Sequence, residues 1–247
     1  MKTMTSALLR NLSASALLLL VSLLSNASAE ETNPCSKHEA HDSVTFLLVD
    51  RSDKLPNLEG LKQTLQAVKE MIQPGERLMV GTSGGKLSET RIILDVVRPK
   101  SSVWESVLKT RARDKAFERC FEAMEATVLK QDEQHKTSAI LETLSFVSSN
   151  VGSDAAPKKR VVLYSDMVQN SSELTFYGPK PIDPAVALQK ADKENWVVKL
   201  PATDVYVSGA GTTVPDDKAK KIEDFWRKYF DKSGAQLKFY GPVFVGS

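Results

Sequence analysis

The sequence predicts an α/β fold in three layers: a Rossmann-like, mostly parallel central sheet with one antiparallel edge strand and helices on both faces. Three observations carry this expectation. Residues 44–50 and 161–166 are short apolar runs that end in an acid, the composition of strands buried on both faces. Between such runs the apolar residues recur at three- and four-residue steps, which marks helices. Between residues 82 and 91 the chain has room for a turn at Ser83-Gly84-Gly85 and no crossover helix, so the second and third strands form a hairpin. Strands alternating with helices then give a sheet covered on both sides.

Taken in order, the first strand is Val44-Thr45-Phe46-Leu47-Leu48-Val49-Asp50. Leu58, Leu61, Leu65, Val68 and Ile72 place a helix after it, and Pro74-Gly75 stops that helix. Residues 77–82 and 91–97 read as the hairpin strands. A long helical region follows, best defined by Phe117, Cys120, Phe121, Met124 and Val128. The polar stretch 131–136 breaks it, and Ile140, Leu141, Leu144 and Val147 stripe the next helix. After a polar loop at 152–159 comes the strand ending at Asp166. Residues 170–184 form a long loop with Phe176, Tyr177 and three prolines. A short helix at 184–193, a strand at 204–208, an aromatic helix bearing Ile222, Phe225, Trp226, Tyr229 and Phe230, and a strand at 236–240 complete the chain. No repeat or low-complexity linker divides it.

The N-terminus has the order of a secretory signal: Lys2 and Arg10, an apolar run at residues 16–24, then Ala27-Ser28-Ala29. That run falls short of the roughly 20 residues needed to cross a bilayer. The expected organisation is a signal peptide over 1–29, a tail over 30–42 and one domain over 43–247, with the exported chain beginning at Glu30. Removing residues 1–29 takes away two basic residues and no acidic ones, so the formal charge falls from +2 to zero. A neutral chain offers no general electrostatic attraction for nucleic acid or an anionic membrane. Cys35 and Cys120 are disulfide candidates in an oxidising compartment; the alternative is a buried free Cys120 and an unpaired Cys35.

One constellation stands out. Asp50-Arg51-Ser52 follows the first strand, Thr137-Ser138 opens a helix, and Asp166 follows the fourth strand. With the element order above, this resembles the von Willebrand factor type A family, from about residue 43 to about residue 242. The resemblance implies a metal-ion-dependent adhesion site built from Asp50, Ser52, Ser138 and Asp166, with Thr137 as the neighbouring candidate for the hydroxyl position. The family's first motif carries a further serine where this chain has Lys54. The site implied is therefore degenerate: weak Mg²⁺ binding, with Asp53 as a stand-in ligand, or Lys54 replacing the ion by pairing with Asp50 or Asp166. Mg²⁺ takes about six hard oxygen ligands and keeps several waters, so carboxylates and hydroxyls are its natural donors. Each residue also has a local reading, since a strand-end Asp caps turns and Ser or Thr caps helices.

The resemblance implies an exported, non-enzymatic protein-binding module, periplasmic or secreted, in a bacterial envelope, secretion or conjugation-related assembly. Its partner is another protein, engaged through an acidic side chain. Lys54, Thr137, Phe176 and Tyr177 are the candidate partner contacts; the two aromatics either anchor a partner or pack beneath their own loop. The rival class is a haloacid dehalogenase-like phosphatase. Its chemistry needs a second acid two residues after the nucleophile, and that position is Ser52. Residues 81–86 lack phosphate-loop spacing. No nucleophile elbow occurs, and His38, His41 and His135 do not have metal-ligand spacing.

Overall fold

The structure is a computed structural model, and it describes residues 35, 40–51, 57–101, 106–130, 137–180 and 182–246. The expected signal peptide and cleavage point, Ser52, Asp53, Lys54, His38 and His135 lie outside the described residues.

The element order is β1 (Ser43–Asp50), α1 (Leu58–Met71), β2 (Glu76–Ser83), β3 (Arg91–Val97), α2 (Val107–Val128), α3 (Ile140–Val147), β4 (Lys158–Tyr164), α4 (Pro184–Lys193), β5 (Thr203–Ser208), α5 (Asp216–Ser233) and β6 (Ala235–Gly241). A 3₁₀ turn at Leu87–Glu89 sits inside the β2–β3 connection, and a π turn at Ser148–Gly152 extends α3. The sheet runs β3-β2-β1-β4-β5-β6, with every neighbouring pair parallel except β2 and β3. This is the α/β architecture expected, with the antiparallel strand at the edge.

Alternation along the strands separates two cores. Val44, Phe46 and Leu48 face one side with Leu141 and Leu144 of α3 and Ile222, Phe225 and Trp226 of α5. Leu47 and Val49 face the other with Leu61 and Leu65 of α1 and Phe117 and Phe121 of α2. The period-2 pattern of a strand buried on both faces thus feeds two helical layers at once. Cys35 and Cys120 form a disulfide, with Cα atoms 5.6 Å apart, which ties the segment before β1 to the middle of α2. Helix ends follow local chemistry: Asn57 accepts from Glu59 N at the start of α1, Asp183 from Ala185 N and Val186 N at α4, and Gly234 ends α5 at φ +82°.

The order of the strands decides where a site belongs. From β1 the chain moves outward through β2 and β3, then returns to β4 on the other side of β1. Open parallel sheets hold ligands in the crevice beyond the carboxyl ends at such a reversal point. Here that crevice lies above Asp50 and Ser165.

Candidate functional site

Register places three strand ends side by side. Asp50 is opposite Ser83 of β2, and Val49 is opposite Tyr164, so Ser165 follows beside Asp50. Asp50 shares the face of Phe46 and Leu48, so its carboxylate points toward the start of α3. It is 9% exposed and is surrounded by hydroxyls. Ser165 Oγ donates to Oδ2 at 2.8 Å, Ser138 Oγ to the same oxygen at 3.2 Å, and Ser83 Oγ to Oδ1 at 3.4 Å. A buried carboxylate needs such donors, because unpaired it carries a large desolvation cost. Below it a cavity of about 10 Å³ is walled by Leu48, Ile140, Leu163 and Met167, space for no more than a single water.

Ser138 does not cap a helix. It exchanges backbone hydrogen bonds with Asn170, at 2.9 and 2.7 Å, and is extended as a result. The helix opens two residues later, with Ala139 at its N-cap and no capping side chain of its own. The cap comes from Gln169, fully buried, whose Oε1 accepts from Leu141 N at 2.9 Å while its Nε2 reaches Glu142 and Ser171. The expectation that Thr137-Ser138 opens the helix is therefore corrected: pairing with Asn170 claims that backbone first. Thr137 is exposed and donates to Gly85 O at 3.0 Å, joining this segment to the β2–β3 connection.

Both carboxylate oxygens of Asp166 are engaged. Its Oδ1 accepts from Val168 N at 2.9 Å, an Asx turn, and its Oδ2 accepts from Thr213 Oγ1 at 2.6 Å. Burial, then the charges of Glu223 and Asp166, push the Tyr240 phenol above its ordinary range, so it stays protonated. Met167 takes φ +62°, rare for a side chain of this size, and is held on both sides. Its N–H donates to Ser165 Oγ at 3.0 Å and its carbonyl accepts from Trp226 Nε1 at 2.8 Å. Trp226 is thus core packing, as its sequence setting suggests, and also the clamp on the turn after β4.

The two loop aromatics part company. Phe176 is 1% exposed and meets Phe225 edge-on with centroids 4.9 Å apart, so it secures the loop from beneath and is withdrawn as a partner contact. Tyr177 is 41% exposed beside it. Next to Asp50, a cleft of about 200 Å³ is lined by Arg51, Thr82, Ser83, Ser88, Glu89 and Arg91. Arg51 bonds the carbonyl of Lys130 just beyond α2. On the far side of the crevice, Tyr164 donates to the carbonyl of Asn57, fixing the point where the chain re-enters α1.

Sequence reasoning brought Asp50 and Ser138 to one place and missed Ser83, Ser165, Gln169 and Thr213 as members of the network. Ser83 and Ser165 sit at strand ends in register with Asp50, a signal visible once the strands are paired. Nothing local marks Gln169. Among the described residues no three His, Cys, Asp or Glu side chains converge as a metal cluster.

No family model matches this chain, and no curated protein matches it. Among solved structures it is similar to the pilus adhesin SpaC from Lactobacillus rhamnosus GG, with 12% identity, a TM-score of 0.47 and coverage of 78% of this chain and 27% of that one. It is similar to the conserved hypothetical protein BatB from Bacteroides thetaiotaomicron, with 11% identity, a TM-score of 0.41 and coverage of 81% and 91%. It is also similar to the manganese-loaded TRAP protein of Plasmodium vivax, with 18% identity, a TM-score of 0.38 and coverage of 74% and 63%. The chain thus spans about a quarter of the length of the adhesin and less than two thirds of that of TRAP.

Proposed function

We propose that this chain is an exported, von Willebrand factor A-like protein-binding module, without catalytic chemistry, that captures a partner at the carboxyl edge of its sheet. The carrying observation is the meeting of Asp50 with Ser83, Ser138 and Ser165 at the strand-order reversal, with the exposed Tyr177 on the loop that pairs with Ser138. Export and a periplasmic or secreted setting are supported by the Cys35–Cys120 disulfide. An envelope, secretion or conjugation-related assembly is the setting in which such a module belongs.

The described side chains that donate to Asp50 are hydroxyls, hard oxygens that suit Mg²⁺ or Mn²⁺ in kind. Asp50, Ser138 and Ser52 would hold the ion directly, and Asp166 would act through water. With few carboxylates, that set implies weak affinity. A bound ion would supply an open coordination position for a carboxylate of the partner protein. Calorimetric titration with Mn²⁺ is expected to give weak binding that Asp50→Ala abolishes. Lys54→Ser should strengthen it, because it removes a competing cation and supplies a hydroxyl.

Partner capture is tested separately. A photo-crosslinker replacing Tyr177 should give a discrete adduct in the host, and one replacing Lys238 on β6 should not. Adducts of equal yield from both positions, unaffected by Asp166→Asn, would exclude the carboxyl edge as the binding surface.

A further inference from the structure

Helix α2 has 22 residues, yet its buried residues are Phe117, Cys120, Phe121, Met124 and Val128, all in its later part. Its opening stretch stands in solvent, with Val107 64% and Leu108 78% exposed at the first turn. Two adjacent apolar side chains in water at a helix start gain nothing for the fold. The charges around them are uneven as well. Residues 107–119 hold five cations, at 109, 111, 113, 115 and 119, against two acids, Asp114 and Glu118. Glu118 is already taken by Lys69 of α1.

Helical geometry sorts these residues. Leu108, Arg111, Lys115 and Arg119 are separated by three and four residues, so they form one line along the helix, opposite the buried line. All four are exposed, and the three cations make no ion pair with another described residue. The neutrality of the exported chain as a whole therefore conceals a cationic stripe with an apolar head.

We propose that this outer face of α2 docks on an anionic lipid bilayer, Val107 and Leu108 entering the interface while Arg111, Lys115 and Arg119 meet the headgroups. Charge complementarity defines the surface as anionic, and the apolar head separates lipid from the other polyanions. Nucleic acid would pair with the cations and leave Val107 and Leu108 in water, whereas an interface accepts both. The convex helix also offers no groove for a peptide.

Placement on the fold gives the docking a direction. β3 starts beside Thr82, near Asp50, and ends at Val97 beside Arg77, at the opposite end of the sheet. The start of α2 follows that far end, so a protein held there presents its Asp50 edge away from the bilayer. The disulfide at Cys120 anchors the same helix to the body.

The test is co-sedimentation of the exported protein with phosphatidylcholine vesicles, with and without phosphatidylglycerol. Binding is expected only with the anionic lipid, weakening with salt and falling about a hundredfold in the triple variant Arg111→Glu, Lys115→Glu, Arg119→Glu. Leu108→Asp should also weaken it. Near-ultraviolet circular dichroism checks the fold; if the triple variant misfolds, Lys115→Glu alone should lose about fivefold. Equal binding to both vesicle types, unchanged binding by the charge-reversed protein, or preference for a duplex DNA probe over the anionic vesicles would overturn the proposal.

Discussion

Two hydrogen bonds meet at the Ser165 hydroxyl, which donates to Asp50 Oδ2 and accepts from Met167 N. The first stabilises a buried carboxylate and the second holds a left-handed residue, so neither can be replaced by solvent without opening the turn. Ser165→Ala should destabilise the protein by about 1–3 kcal/mol, read as a lower urea midpoint at unchanged m-value. Ser83→Ala should cost less, because its 3.4 Å bond is the longest of the three. This network shows how far residue-level reading reaches. Asp50 was legible only through its company, since a strand-end acid alone reads equally as a turn cap. Its serine partners were not, because hydroxyls from three segments meet only through sheet register and the Asn170 bridge. Phe176 was open in the sequence, since an aromatic in a polar loop looks the same whether it faces outward or is tucked against Phe225.

At the scale of elements, strands and helices were legible because burial on two faces imposes apolar runs on strands and striped periodicity on the helices covering them. The start of α3 was misplaced because its cap arrives from Gln169, 28 residues from the N–H it satisfies. That long-range cap replaces the short-range signal on which sequence reading depends. The disulfide between the segment before β1 and α2 spans 85 residues. On loop-closure grounds its removal frees unfolded-chain entropy equivalent to about 4–5 kcal/mol, with measured losses commonly about 2–5 kcal/mol. Cys35→Ser with Cys120→Ser, or treatment with a thiol reductant, should therefore lower the thermal midpoint by several degrees or more. An unchanged midpoint would mean that the cross-link does not constrain the unfolded chain.

For the molecule as a whole, the ends of the sheet differ in character. At the carboxyl edge Asp50 sits among hydroxyls. The opposite end is ionic: Arg77 grips Asp95 through two nitrogens at 2.8 and 2.7 Å and reaches Asp154 at 3.0 Å, and His41 Nε2 meets the same Asp154 carboxylate at 3.0 Å. Burial alone would raise the Asp154 pKa; the Ala156 N–H, His41 and Arg77 outweigh it and hold the carboxyl below its ordinary 3.8. A carboxyl lowered on folding stabilises the native state above its unfolded pKa, and that contribution is lost as pH falls through the folded value. Asp154→Asn should thus cost roughly 2 kcal/mol at neutral pH, with the difference shrinking below about pH 4 in denaturant titrations. A gap independent of pH would place its origin in packing. Cys35 also sets how tension would travel through the protein. A pull arriving from the N-terminal side meets a covalent bond to α2 before it reaches the central strand β1. The stretch between the cysteines, a sequence separation of 85 and about 290 Å of extended chain, is then shielded from load. Under force the protein would yield first in its second half, leaving the strand that carries Asp50 in place.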